Sequence, residues 1–146
     1  MIQYIKTAKA IIEKYCETME VPVEILLRRS KNNKGRYGTR CSRVYKTISL
    51  SFMRQCLGYY LYKNLPLTTT QIGQMIGYSD HSSVVLYSKI VEDHFQIKDP
   101  YFIPYYDKLV EVATPLMKDV EFDRNDIWKV RYQRSVDKRV GKLLAV

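Results

Sequence analysis

The chain has 146 residues, 46% of them hydrophobic, and 24 Lys and Arg against 15 Asp and Glu give it a formal charge of +9. That length suits one domain with a short appendage, and the apolar share excludes wholesale disorder. The positive balance favours nucleic acid or an anionic membrane surface as partner, yet no run approaches the roughly twenty apolar residues that span a bilayer, so no membrane is expected.

Ile2, Ile5, Ile12, Tyr15 and Met19 recur at threes and fours, with Ala8 and Ile11 on the same side. The spacing predicts a first helix from about Ile2 to Met19. Its opening is a polar-interrupted segment and not a signal peptide. Val21-Pro22-Val23 breaks the pattern. Pro22 then suits the first position of a short helix from Val23 to Arg28, whose Glu24 complements the helix dipole.

Residues 30–47 read SKNNKGRYGTRCSRVYKT, and Asn32, Asn33, Gly35 and Gly38 speak for a loop. No Asp or Glu occurs from Ile25 to Ser79, where Arg28, Arg29, Lys31, Lys34, Arg36, Arg40, Arg43, Lys46, Arg54 and Lys63 all fall. The solvated face of a neutral protein mixes signs, so this excess reads as a phosphate-facing surface. The segment is expected to be a basic arm, or a small hairpin wing with Tyr37 and Val44 on its strands. Its arginines would lie along phosphates or enter a narrow minor groove. The bland alternative is a charged loop that contacts nothing.

Ser49 to Lys63 predicts a long helix, capped by Ser49 or Ser51, with Phe52, Cys56, Tyr59 and Tyr60 on its inner face. Gly58 lowers helix propensity by about 1 kcal/mol relative to Ala, which a close helix crossing would explain. Arg54 and Gln55 are placed outward. Leu65-Pro66-Leu67 ends this helix and leads into TTTQIGQMIGYSDHSSVVLYSK, residues 68–89. Thr68 and Gln71 have capping-box spacing. Ile72, Met75 and Ile76 share a face, and Gly77 stops the helix in a way that needs positive φ. Ser79 or Asp80 caps a second helix that buries Val84, Tyr87 and Val91. A short helix, a glycine turn and a helix with a polar nose make a helix-turn-helix, whose second helix enters the DNA major groove. The nose, Asp80-His81-Ser82-Ser83, can accept from cytosine, donate to purines, or bring a small apolar surface to a thymine methyl. Capping alone accounts for Asp80 and Ser83 but not for His81. Thr69 and Thr70 suit either phosphate contact or simple helix initiation.

His94 reads as a packing residue or a helix C-terminal charge. Beyond Asp99, two prolines and an aromatic cluster mark a connection, Tyr105 to Ala113 predicts a short helix, and Pro115 ends or bends it. Trp128, Tyr132, Val136, Val140 and Leu144 recur every four residues on a basic segment with Arg131, Arg134, Lys138 and Arg139. That segment folds back on the core, joins a dimer, or forms a second basic arm. Cys16, Cys41 and Cys56 are widely spaced without a CxxC, so reduced thiols and no metal are expected.

The run IGYSDHSSVVLYSKI resembles the signature of the C-terminal DNA-binding domain of the bacterial replication initiator DnaA. Asp80, His81 and Val84 match, and Ser82 and Ser83 stand for two threonines. Ile72-Gly73 and Arg54-Gln55 match upstream in the same register, with no gap from Arg54 to Ile90. The resemblance covers roughly residues 2–94, with an apparent insertion near 31–47. It implies an all-α helical bundle with a helix-turn-helix at 1–98; residues 99–146 lie beyond the resemblance and are expected, from their apolar spacing, to form a C-terminal helical extension. It implies binding to double-stranded DNA, with Asp80, His81, Ser82 and Ser83 on base edges. Arg54, Gln55, Thr69, Thr70 and Lys89 would hold phosphates. Arg28, Arg29, Lys31, Arg36, Arg40, Arg43 and Lys46 would form the arm or minor-groove contact. Ser79 stands where the family carries an arginine and Tyr78 where it carries a glycine, so the target need not be the family's usual box. No GxxxxGK[ST] loop is present, so no ATP is expected, and no catalytic constellation or cofactor site is visible. The expected role is a stand-alone, cytoplasmic DNA-binding module in replication initiation or its regulation, in a bacterial or phage-infected cell or on a mobile element. The alternatives are a transcriptional repressor and a protein-interaction module that docks an acidic partner such as a replication protein.

Overall fold

Apolar periodicity becomes helix along most of the chain. The computed structural model describes residues 2–27, 29–31, 37–41, 44–77, 81–118, 120, 125–127 and 129–130, without the side chains of 2, 29–31, 37–41 and 81–83. Helix α1 (Ile2–Met19) buries Ala8, Ile11, Ile12, Tyr15 and Cys16. It ends on Glu20 at φ 59°, and Val21 N–H donates back to the Cys16 carbonyl at 2.9 Å. This left-handed stop occupies a position that helices usually give to glycine. Pro22 then opens α2 (Val23–Leu27), accepting from Leu26 N–H at 3.2 Å.

The basic segment takes the hairpin form. Strand β1 (Arg29–Lys31) pairs antiparallel with β2 (Tyr37–Cys41), and β3 (Val44–Tyr45) pairs with β4 (Ile48–Ser49). Tyr37 and Val44 are therefore strand residues, but on separate hairpins. β-branched and aromatic residues at 37, 39, 44, 45 and 48 favour extended backbone over the loop that the flanking Asn and Gly suggest.

Helix α3 (Leu50–Asn64) is the central element. Ser49 caps it, its Oγ accepting from Phe52 N–H at 3.2 Å. Leu50, Met53, Cys56, Leu57, Tyr60 and Leu61 are buried along one side, Lys63 is the one exposed residue of the helix, and it touches α4 (Thr69–Met75), α5 (His81–Gln96), α6 (Ile103–Met117) and β3. A helix with so little exposed surface belongs inside a fold. Two residues of the expected inner face, Phe52 and Tyr59, are only partly buried.

Helix α6 starts earlier than expected and runs through Pro115. Pro104 stands at the helix start, where a missing N–H leaves nothing unsatisfied. Pro115 lies in the last turn and withholds one bond, from the carbonyl of exposed Glu111. The helix packs on α1 and α3, and Phe102, Leu109 and Ala113 join the same core as the preceding helices. Tyr105 ties these parts together. Its carbonyl accepts from Tyr15 Oη at 2.9 Å, and its own Oη accepts from Ser49 N–H at 3.0 Å. The basic segment with Trp128, Tyr132, Val136, Val140 and Leu144 lies outside the described residues, as do Arg131, Arg134, Lys138 and Arg139.

Cys16 and Cys56 are free thiols buried in the core. Burial pushes Cys16 up to about 12 and raises Cys56 further. His94 closes the α5 to α6 corner. Its Nδ1 lies 2.9 Å from Asp99 Oδ2, and its ring stacks on Phe102 at 4.2 Å and meets Phe52 edge-on at 5.5 Å. The Tyr101 backbone N–H, and then His94, hold the Asp99 carboxyl below its usual range. A depressed carboxyl contributes stability above its unfolded value of 3.8, and this is lost as pH falls through the lower folded value. Asp99→Asn is expected to lower the urea midpoint at pH 7 and to flatten its decline below about pH 4. An unchanged acid limb would show that this corner does not couple to folding.

Candidate nucleic-acid interface

Helix α4 begins with both halves of a capping box. Thr68 Oγ1 accepts from Gln71 N–H at 3.2 Å, and Gln71 Oε1 accepts from Thr68 N–H at 3.0 Å. The reciprocal bonds satisfy two orphan donors and fix where the helix starts. Ile72 and Ile76 point into the core, and Gly77 follows at φ +92°. A Cβ on Gly77 would sit 3.2 Å from both the Cα and the carbonyl oxygen of Leu27. The turn therefore needs glycine twice, for its dihedral and for the approach to the end of α2.

Helix α5 crosses α3 closely. A Cβ on Gly58 would meet the Tyr87 ring at 2.8 Å and Ile76 Cδ1 at 3.3 Å, which accounts for the glycine in mid-helix. Val84 and Val91 are fully buried and Tyr87 nearly so, as their spacing implies. The opposite side carries exposed Val85, Leu86 and Lys89, followed by exposed Glu92 and Asp93. Glu92 lies 3.7 Å from Lys63, an exposed pair of little energetic weight. The helix thus exposes two aliphatic residues in its second turn, Lys89 at its middle and acids in its second half.

Of the expected base-reading residues, Asp80 lies outside the described residues. His81, Ser82 and Ser83 form the first turn of α5, with side chains not described. Thr69 and Thr70 are partly buried in the first turn of α4, and Lys89 is exposed on α5. Arg29, Lys31 and Arg40 lie on the β1–β2 hairpin, while Arg28, Arg36 and Arg43 lie outside the described residues. Lys46 is exposed at the β3–β4 turn, its Nζ 5.5 Å from the centre of the Tyr45 ring. It adopts φ 54°, a conformation that a turn normally assigns to Gly or Asn.

Arg54 and Gln55 require correction: they do not face outward. Arg54 is 1% exposed, and its Nε donates to the Leu26 carbonyl at 2.8 Å, with Nη2 donating to the same oxygen. Gln55 is partly buried, and its Oε1 is closed off from solvent without a hydrogen-bond partner. The reason is the position of α3, covered by α4, α5, α6 and β3. A guanidinium in such a place must be hydrogen-bonded, and the last carbonyls of a helix are acceptors that lack partners. Arg54 supplies the C-terminal end of α2 with both donors and positive charge.

A groove of about 410 Å³ lies between α1, α2 and α4, lined by Ile5, Ile12, Val23, Leu27 and Met75, with Lys9, Glu13, Gln71 and Gln74. No His, Cys, Asp or Glu cluster among the described residues could hold a metal ion, and no helix among them is long and apolar enough to cross a membrane. No protein-family model matches the chain, and neither a curated protein nor a solved structure is detectably similar to it.

Arg54→Met keeps most of the side-chain volume but leaves the Leu26 carbonyl buried without a donor. Stability is expected to fall by about 2 kcal/mol, read from urea unfolding. A loss well below that would show that the carbonyl finds water or another donor.

Proposed function

We propose that the chain is a sequence-selective module for double-stranded DNA, with α4, the turn at Gly77 and α5 acting as a DnaA-like helix-turn-helix. The observation that carries this reading is the division of α5. It buries Val84, Tyr87 and Val91 against the core and turns Val85, Leu86 and Lys89 to solvent, in a chain whose segment from Ile25 to Ser79 carries basic residues and no acid. A helix anchored along one side with its opposite side exposed is what a major groove admits. Asp80, His81, Ser82 and Ser83 then meet base edges. Thr69, Thr70 and Lys89 take phosphates, and the basic residues from Arg28 to Lys46 take the backbone or the minor groove. Arg54 acts from beneath, by positioning. In a cell such a module competes at initiator sites, marks a phage or plasmid origin, or represses a promoter.

The test is a salt-titrated anisotropy assay with duplexes selected from a random pool. Affinity should fall by roughly a hundredfold or more between 50 and 200 mM salt if several phosphates are neutralised. His81→Ala should erase the preference for the selected duplex over random duplex more than it lowers binding to the random one. Preference that survives this change would remove α5 as the reading helix. Binding that ignores salt would favour a module that docks an acidic protein.

A further inference from the structure

We propose that Val85 and Leu86 contact thymine methyl groups in the major groove, so that the target duplex carries A·T pairs beneath the second turn of α5. This rests on α5 being the helix that enters DNA. Val85 is 51% exposed and Leu86 55% exposed, on the side of α5 away from Val84, Tyr87 and Val91. Lys89 follows Val85 by four residues and Leu86 by three, so the three side chains share one face. Long helical side chains lean towards the helix N-terminus, which brings this face towards the tip at His81.

Charge limits what can lie against that face. Between Asp80 and Glu92 the one Lys or Arg on α5 is Lys89, and no acid occurs from Ile25 to Ser79. A polyanion that offers apolar points to two aliphatic side chains complements this face. In a DNA major groove the thymine C5-methyl is the apolar group on base edges. Duplex RNA lacks that methyl, and its major groove is too narrow for a helix. Axial distances agree. At ~1.5 Å per residue, Val85 lies about 6 Å and Glu92 about 16 Å beyond His81. The major groove is roughly 8.5 Å deep. A helix entering by its tip takes Val85 and Leu86 inside while Glu92 and Asp93 stay clear of the phosphates.

The experiment measures binding of the full chain, and of a Val85→Ser, Leu86→Ser double variant, to the duplex selected by the wild type. Each thymine is replaced in turn by deoxyuridine, which removes only the methyl. The wild type should lose about fourfold in affinity per contacted methyl. The double variant should bind the two duplexes alike while keeping its helical circular dichroism. If the wild type binds the selected duplex but ignores the loss of every methyl, this inference fails and the DNA-binding reading stands. If both proteins lose affinity equally, the methyls are read by other residues and the inference again fails. If no duplex is selected at all, the DNA-binding reading fails and takes the inference with it.

Discussion

The bond between the Arg54 guanidinium and the Leu26 carbonyl holds the far end of a helix that could not hold itself. Helix α2 has five residues, too few to persist on local hydrogen bonds. Its place is set by what touches its last turn. Arg54 reaches that turn from the central helix, and Gly77 presses against the Leu27 backbone from the turn before α5. The β1–β2 hairpin departs two residues later, at Arg29. The basic hairpin and the tip of α5 are thus referred to one point, and a buried cation makes that point rigid. The same cation would be expensive to bury were its donors not directed at carbonyl oxygen.

This arrangement divides labour along the chain. Residues that bond across elements, such as Arg54 and Tyr105, tie the helices together, while Gln71 fixes the start of its own helix. Val85, Leu86 and Lys89 face outward on α5. Lys46 turns the β3–β4 hairpin at a positive φ, as Glu20 and Lys98 do after α1 and α5. The corner formed by His94, Phe52, Phe102 and Asp99 closes the C-terminal end of α5.

Much of this was legible in the sequence where the signal is local. The span of α1, the Ser49 cap, the Thr68 and Gln71 box, the glycine stop and the buried side of α5 all depend on neighbours within one or two turns. Gly58 was legible as a crossing because a glycine in mid-helix needs a reason. Arg54 was not, because its partner stands 28 residues upstream and an arginine beside a glutamine reads as surface. The sign that could have placed it is the side of α3 that carries Leu50, Leu57 and Leu61, on which Arg54 falls. The hairpins were half legible: Asn and Gly marked loop, and the pairing of short strands across them is a nonlocal event. The extent of α6 is not legible because Pro104 and Pro115 read as breaks, whereas one stands at the helix start and the other in its last turn.

The central claim is that the first half of α5 and the basic hairpins meet paired bases, with the α1–α2–α4 groove uninvolved. Hydrogen–deuterium exchange of the full chain, with and without its selected duplex, tests this most directly. The account predicts slowed exchange in residues 81–89 and 29–46 on adding duplex, with no change in the segments lining the groove, residues 5–13 and 23–27. Protection confined to the groove, with residues 81–89 unaffected, would contradict it.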